Sequence, residues 1–115
     1  MADVFSVTCT GPSSASGATA VTIGTLIAST SIRGFVESFG GGTSSTPADM
    51  AILWIVQRFT AAGTAGTNPV PAANDSAAPA SLISAGQAHS AEPTYTAAKE
   101  LFQEGFNQRN SFREF

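Results

Sequence analysis

Charge is what this sequence has least of. Only 11% of its 115 residues are charged, against about 25% in an average domain. Five Lys and Arg face eight Asp and Glu, for a net charge of −3. So few cations exclude a nucleic-acid binder, which needs a clustered basic footprint on phosphates. They also exclude electrostatic attraction to an anionic membrane surface. The one cysteine, Cys9, cannot close a disulfide within the chain. That excludes a stapled secreted mini-domain, and the thiol reads as a small apolar residue on a strand. The one histidine, His89, has no second His or Cys at ligand spacing, so no metal site is expected. No window approaches the roughly 18 apolar residues of a membrane-spanning helix. Met1 to Ser6 show neither a basic segment nor a continuous apolar one, so a chain without a secretory leader, made in a cytoplasm, is expected.

What remains is a surface of Ser, Thr, Ala, Gly and Asn, the kind that suits a protein packed against others. The length predicts a single domain, 1–115, with one core. Its anchor is Asp49 to Thr60, the densest apolar run, which also holds the only Trp, Trp54. Thr46-Pro47-Ala48-Asp49 resembles a helix start, with a Thr cap, Pro at the first position and an acid at the third. A strand buried on both faces explains the β-branched and aromatic run better, and its neighbours also read as strands. The spacing therefore predicts a central strand.

Around it, Asp3 to Thr10 alternates with Phe5, Val7 and Cys9 on one face, as a strand does. Gly11 to Gly17 is rich in breakers. Ala20 to Ala28 predicts a strand in which Gly24 marks a bulge or a close backbone approach. Ile32 to Phe39 predicts another, and Gly40-Gly41-Gly42 a flexible connection. The segment 61–80 is poor in large apolar residues and too long for a hairpin turn. It predicts an excursion over a neighbour, with the chain running extended through 96, where Pro93 disfavours helix at Glu92. The segment 97–115 fits helix by propensity and strand by parity. Read as strands, with Gly105 and Asn107 in the turn between them, it ends at Phe115 inside an alternation. That predicts either a chain cut short or a terminus that pairs with something else.

No catalytic constellation is visible, and neither enzyme activity nor a cofactor is expected. No Gly-x-Ser-x-Gly surrounds Ser76, Ser84 or Ser90. The carboxylates are scattered, and Gly40-Gly41-Gly42 lacks the Lys of a phosphate loop. Arg58, Arg109 and Arg113 each lie in an aromatic-rich stretch. The bland reading is an amphipathic strand with its charges in water. The functional one is a subunit interface, where Arg and aromatics are enriched. Its candidates are Arg58, Phe59, Tyr95, Arg109, Phe112, Arg113 and Phe115.

Three stretches also carry a likeness. Gln57-Arg58-Phe59-Thr60-Ala61-Ala62-Gly63-Thr64-Ala65-Gly66-Thr67, Ala91-Glu92-Pro93-Thr94-Tyr95-Thr96, and Asn107-Gln108-Arg109 followed by Ser111-Phe112-Arg113 resemble a family of small tailed-phage virion proteins. The likeness runs in order from about Thr25 to Arg113. It implies a mainly β fold, a small antiparallel β-sandwich of jelly-roll type with a long Ala/Gly/Pro-rich loop. It implies a capsid decoration or cement protein on the virion surface, whose partners are the major capsid protein and further copies of itself, with a trimer suiting local threefold sites. The chain departs from the family at Lys99 to Glu104, where an alternating strand is usual, and in ending after the Phe-Arg strand. The alternatives are a tail or neck component, or a module for a host polysaccharide or receptor with Trp54 and Tyr95 lining a groove.

Overall fold

A computed structural model describes residues 3–11, 21–31, 33–44, 46, 49–107 and 109–114, except for the side chains of 96–99, 106, 112 and 114. The chain is mainly β, and no helix occurs among the described residues. Among the described residues eight strands follow in order: β1 (Phe5–Ser6), β2 (Gly24–Ile27), β3 (Phe39–Gly42), β4 (Ala51–Ala61), β5 (Ala72–Ala73), β6 (Ser84–Gln87), β7 (Thr94–Asn107) and β8 (Ser111–Glu114). They pair as four two-stranded ladders, β1–β5, β2–β6, β3–β8 and β4–β7. No strand pairs with its neighbour in sequence, so none of the ladders is a hairpin.

The anchor stretch is a strand, β4, as its β-branched and aromatic content predicts. The 97–106 ambiguity also resolves as strand, within β7. Other expectations fail. The last strand, β8, pairs within the chain, with β3, and not outside the domain. Gly105 lies inside β7 and not in the turn after it. β4 has one partner strand, β7, and leaves Leu53 exposed, so it is not buried on both faces. Residues 33–38 form no strand, although their parity suggested one. Gly40-Gly41-Gly42 is not a loose connection but the body of β3, in register with Arg113, Phe112 and Ser111 of β8. The reason is packing. The Trp54 ring lies on Gly41, with Cη2 2.8 Å from where a Cβ would stand, so this strand must lack a side chain there. Residues 12–17, Ala20, Ile32, Pro47, Ala48, Gln108 and Phe115 lie outside the described residues.

The structure divides into two compact units. The first comprises Met1–Gly34 and Thr60–Thr94. Here β2 and β6 pair antiparallel, Thr25 opposite Gly86 and Leu26 opposite Ala85. Thr22, Thr25, Ala85, Gly86 and Pro93 are buried around this ladder. Gly24 is a site of close approach, as expected, because the Cys9 side chain fills the space its Cβ would take. Part of 61–80 returns onto its own unit. Thr64 N–H donates to Ala91 O at 2.9 Å, Thr67 and Gln87 exchange backbone bonds, and β5 pairs with β1. The Glu92 carboxylate accepts from the Thr22 N–H at 3.0 Å and from its hydroxyl.

The second unit comprises Phe35–Phe59 and Tyr95–Phe115. Its two ladders face each other: Trp54 of β4 covers Gly41 of β3, and Phe102 of β7 meets Phe39 of β3 edge-on, with ring centroids 5.0 Å apart. β4 and β7 run antiparallel, since Asn107 Nδ2 bonds Asp49 Oδ1 at one end and Gly105 lies against Ile52 and Leu53 further along. A tight turn then carries the chain from β7 into the other ladder. Asn110 N–H donates to Asn107 O, and the Asn107 side-chain oxygen accepts from Arg109 N–H, both at 2.9 Å. That is the Asx-turn chemistry Asn supplies.

Candidate interaction surface

Four of the seven expected interface residues sit on the long ribbon of β4 and β7 or at its turn, and they do not form one patch. Arg58 is exposed on β4, Phe59 beside it is half-buried, and Tyr95 is half-buried near the start of β7. Arg109 is exposed in the turn after β7. From Phe59 back to Ala51, where β4 begins, the backbone runs eight residues, about 26 Å at strand rise. Arg113 is exposed on β8, opposite Gly40, and Phe112 pairs with Gly41. The side chain of Phe112, and Phe115 altogether, lie outside what the structure describes. Trp54 and Tyr95, which a carbohydrate groove would present, are both half-buried.

The larger signal is in residues that sequence reasoning passed over. Strand parity puts adjacent residues on opposite faces. Trp54 and Phe102 turn toward β3, so Leu53 and Leu101 turn away from it. Both are exposed, at 56% and 63%. The ribbon thus leaves two large apolar side chains, Leu53 and Leu101, in water. Phe35 at 85% and the exposed Val36 and Met50 extend the same property through the second unit, and Val70 and Leu82 show it in the first. No described side chain of the second unit is buried. Alternation in 101–107 could have flagged Leu101, because Leu101 and Phe102 cannot both point inward on one strand.

Two concavities lie in the first unit. One, of 390 Å³, is lined by Thr10, Gly11, Val21, Thr22, Ala88 and His89. The other, of 320 Å³, includes Thr25, Asn68, Ser84 and His89. His89 Nε2 lies 3.4 Å from the Thr25 hydroxyl, and its buried Nδ1 has no hydrogen-bond partner among the described residues. No carboxylate is among the described lining residues, so nothing there orients the imidazole as a base. Among the described residues, no cluster of three His, Cys, Asp or Glu could hold a metal ion. No family model, no curated protein and no solved structure matches the chain.

Proposed function

We propose that this chain is a structural protein of a phage virion, a decoration or cement protein that bridges major-capsid subunits on the outside of the head. The observation that carries the reading is the amount of surface left uncovered. Among the described residues, Phe35 and Val70 are each 85% exposed, and Val36, Met50, Leu53 and Leu101 are all more than half exposed. Apolar side chains this exposed mark surfaces that meet other proteins. Each ladder has two strands, so each offers open edges for backbone pairing with a neighbour. The facing of β3–β8 and β4–β7 supports a sandwich-type arrangement of jelly-roll kind, and the residues likened to phage proteins supply the virion setting. The mechanism is mechanical. Many symmetric copies, each making a modest apolar and backbone contact, add up to a reinforced shell. The cyclic oligomer suggested for such sites is a trimer.

Co-sedimentation of the purified chain with purified major-capsid shells tests this. Saturation at a fixed ratio of chain to capsid subunit, with shells that then survive hotter or lower-salt conditions, is the expected result. A chain that ignores shells but binds isolated tails or necks moves it elsewhere in the virion. One that ignores all of these and retains a polysaccharide or receptor instead overturns the structural reading.

A further inference from the structure

We propose that residues 33–38 are a cleavage site for an endoprotease whose specificity pocket takes a large aromatic side chain. The cut falls between Phe35 and Val36, and the cut protein stays assembled. None of this depends on a role in a virion. The backbone sets it up. Residues 33–38 belong to no strand, and they make no hydrogen bond or ion pair among the described residues. A protease binds its substrate extended, pairing with the backbone on either side of the cut. Here that backbone is already unpaired, so nothing has to unfold first. Exposed, irregular segments of this kind are where nicking concentrates.

The side chains choose the bond. Phe35 is 85% exposed and Val36 64%. Among the described residues every other aromatic, from Phe5 to Phe112, lies in a strand, where ladder bonds hold the backbone back from a protease. Leu82 is exposed outside a strand too, but there the Ser81 hydroxyl accepts from Ile83 N–H at 3.0 Å and donates to Ile83 O, closing a bend around it. Gly34 lies against Ile83, whose Cδ1 is 2.6 Å from where a Cβ would stand. The segment is thus anchored one residue before the cut. Hydrolysis adds one water across the Phe35–Val36 amide: Phe35 gains a carboxylate, Val36 an ammonium, and no other bond changes.

The topology keeps the pieces together. β1 and β2 lie before the cut, and their partners β5 and β6 lie after it. Val4 O accepts from Asn74 N–H and Gln87 Oε1 from Thr10 N–H, both at 2.9 Å, and Thr22 N–H donates to the Glu92 carboxylate at 3.0 Å. Thr25 and Ala85, from opposite sides of the cut, are both buried in the β2–β6 ladder. The β3–β8 and β4–β7 ladders lie wholly after it. Cleavage therefore breaks no ladder. It turns a covalent arm, 1–35, into one held by pairing alone, whose occupancy then depends on concentration.

The experiment is limited digestion of the full chain by chymotrypsin in native buffer, read by intact-mass spectrometry and analytical sizing. The first products should be 1–35 and 36–115, eluting together at the position of the uncut chain. Phe35→Ser should slow the first cut at least about tenfold, whereas Leu82→Ser should leave its rate unchanged. Low urea supplies a second readout, because a cut made in the native segment does not accelerate with it, while one that awaits unfolding does. A first cut at Phe59, Tyr95 or any other strand residue overturns the site. So does a rate that climbs with urea well below the unfolding midpoint, or a folded chain left intact while its urea-unfolded form is digested. Pieces that part on the column overturn the assembly.

Discussion

Trp54 and Gly41 share one space: the indole Cη2 lies 2.8 Å from the position a Cβ on Gly41 would occupy, with Cζ3 and Cζ2 at 3.0 and 3.1 Å. A rigid ring cannot move aside as the end of a flexible side chain can. Gly41→Ala should therefore destabilise the second unit by about 1–3 kcal/mol, the usual cost of overpacking. Gly105 is the internal control, since a Cβ there meets nothing closer than 3.9 Å. Gly105→Ala should be neutral, or stabilising by up to about 1 kcal/mol through the unfolded chain. Urea midpoints followed by Trp54 fluorescence separate the two, and equal midpoints would show that the ring does not rest on β3.

Gly63 has a positive φ of 68°, and a Cβ there would press into Ala91 O and come within 2.8 Å of the Glu92 carbonyl carbon. Strain and overlap fall on backbone atoms that the Thr64–Ala91 bonds hold in place. Gly63→Ala should cost at least about 2 kcal/mol. Ala88, at φ 51°, is the reverse case. Ala88→Gly removes a left-handed penalty of about 1 kcal/mol and should leave stability level or slightly higher. Thermal melts of the two variants should move in opposite directions, or at least by clearly different amounts.

Burial raises the Cys9 thiol pKa above its ordinary value, so the folded state holds the thiol proton more tightly than the unfolded chain does. The stability this contributes is fully present below the ordinary thiol pKa and is lost as pH rises through the higher folded value. Two outcomes follow. Alkylation of Cys9 near pH 8 should be slower in the folded chain than in urea. The urea midpoint of the wild type should fall more steeply above about pH 9 than that of Cys9→Ser. Parallel pH curves for the two proteins would remove the thiol from the account.

These variants also mark what could be read from residues alone. β4 was legible because Ile52, Trp54, Ile55 and Val56 suit a pleated surface. β7 was not, because residues 97–106 fit helix by propensity as well as strand by parity. β3 was not, since three glycines carry no pattern. Their order comes from Trp54, on the next strand along the chain, and from β8 near its far end. Residues 33–38 had the pattern without a partner, and Phe35 and Val36 remain exposed. The site divides the same way. Arg and aromatic residues drew attention to both ends of the ribbon, while the exposed Leu53 and Leu101 between them emerged only once Phe102 was seen to point at Phe39.

Pairing between distant strands should make folding slow. β1 pairs with β5, β2 with β6, β3 with β8 and β4 with β7, so every ladder must close a long loop before any bond rewards it. Stopped-flow refolding monitored by Trp54 should show its main phase on the millisecond-to-second scale or slower. A dominant microsecond phase would point to local structure that this topology does not contain.

Stability should also depend on how much protein is present. Unfolding of the oligomer proposed for this chain releases its copies, and mass action ties the midpoint to chain concentration. Even for a dimer, each tenfold rise in concentration adds about 1.4 kcal/mol of apparent stability. Wild-type urea midpoints measured across a roughly hundredfold range should climb accordingly. A wild-type midpoint constant over that range would mean that the single chain holds itself together, with Leu53 and Leu101 in water at no cost to the fold.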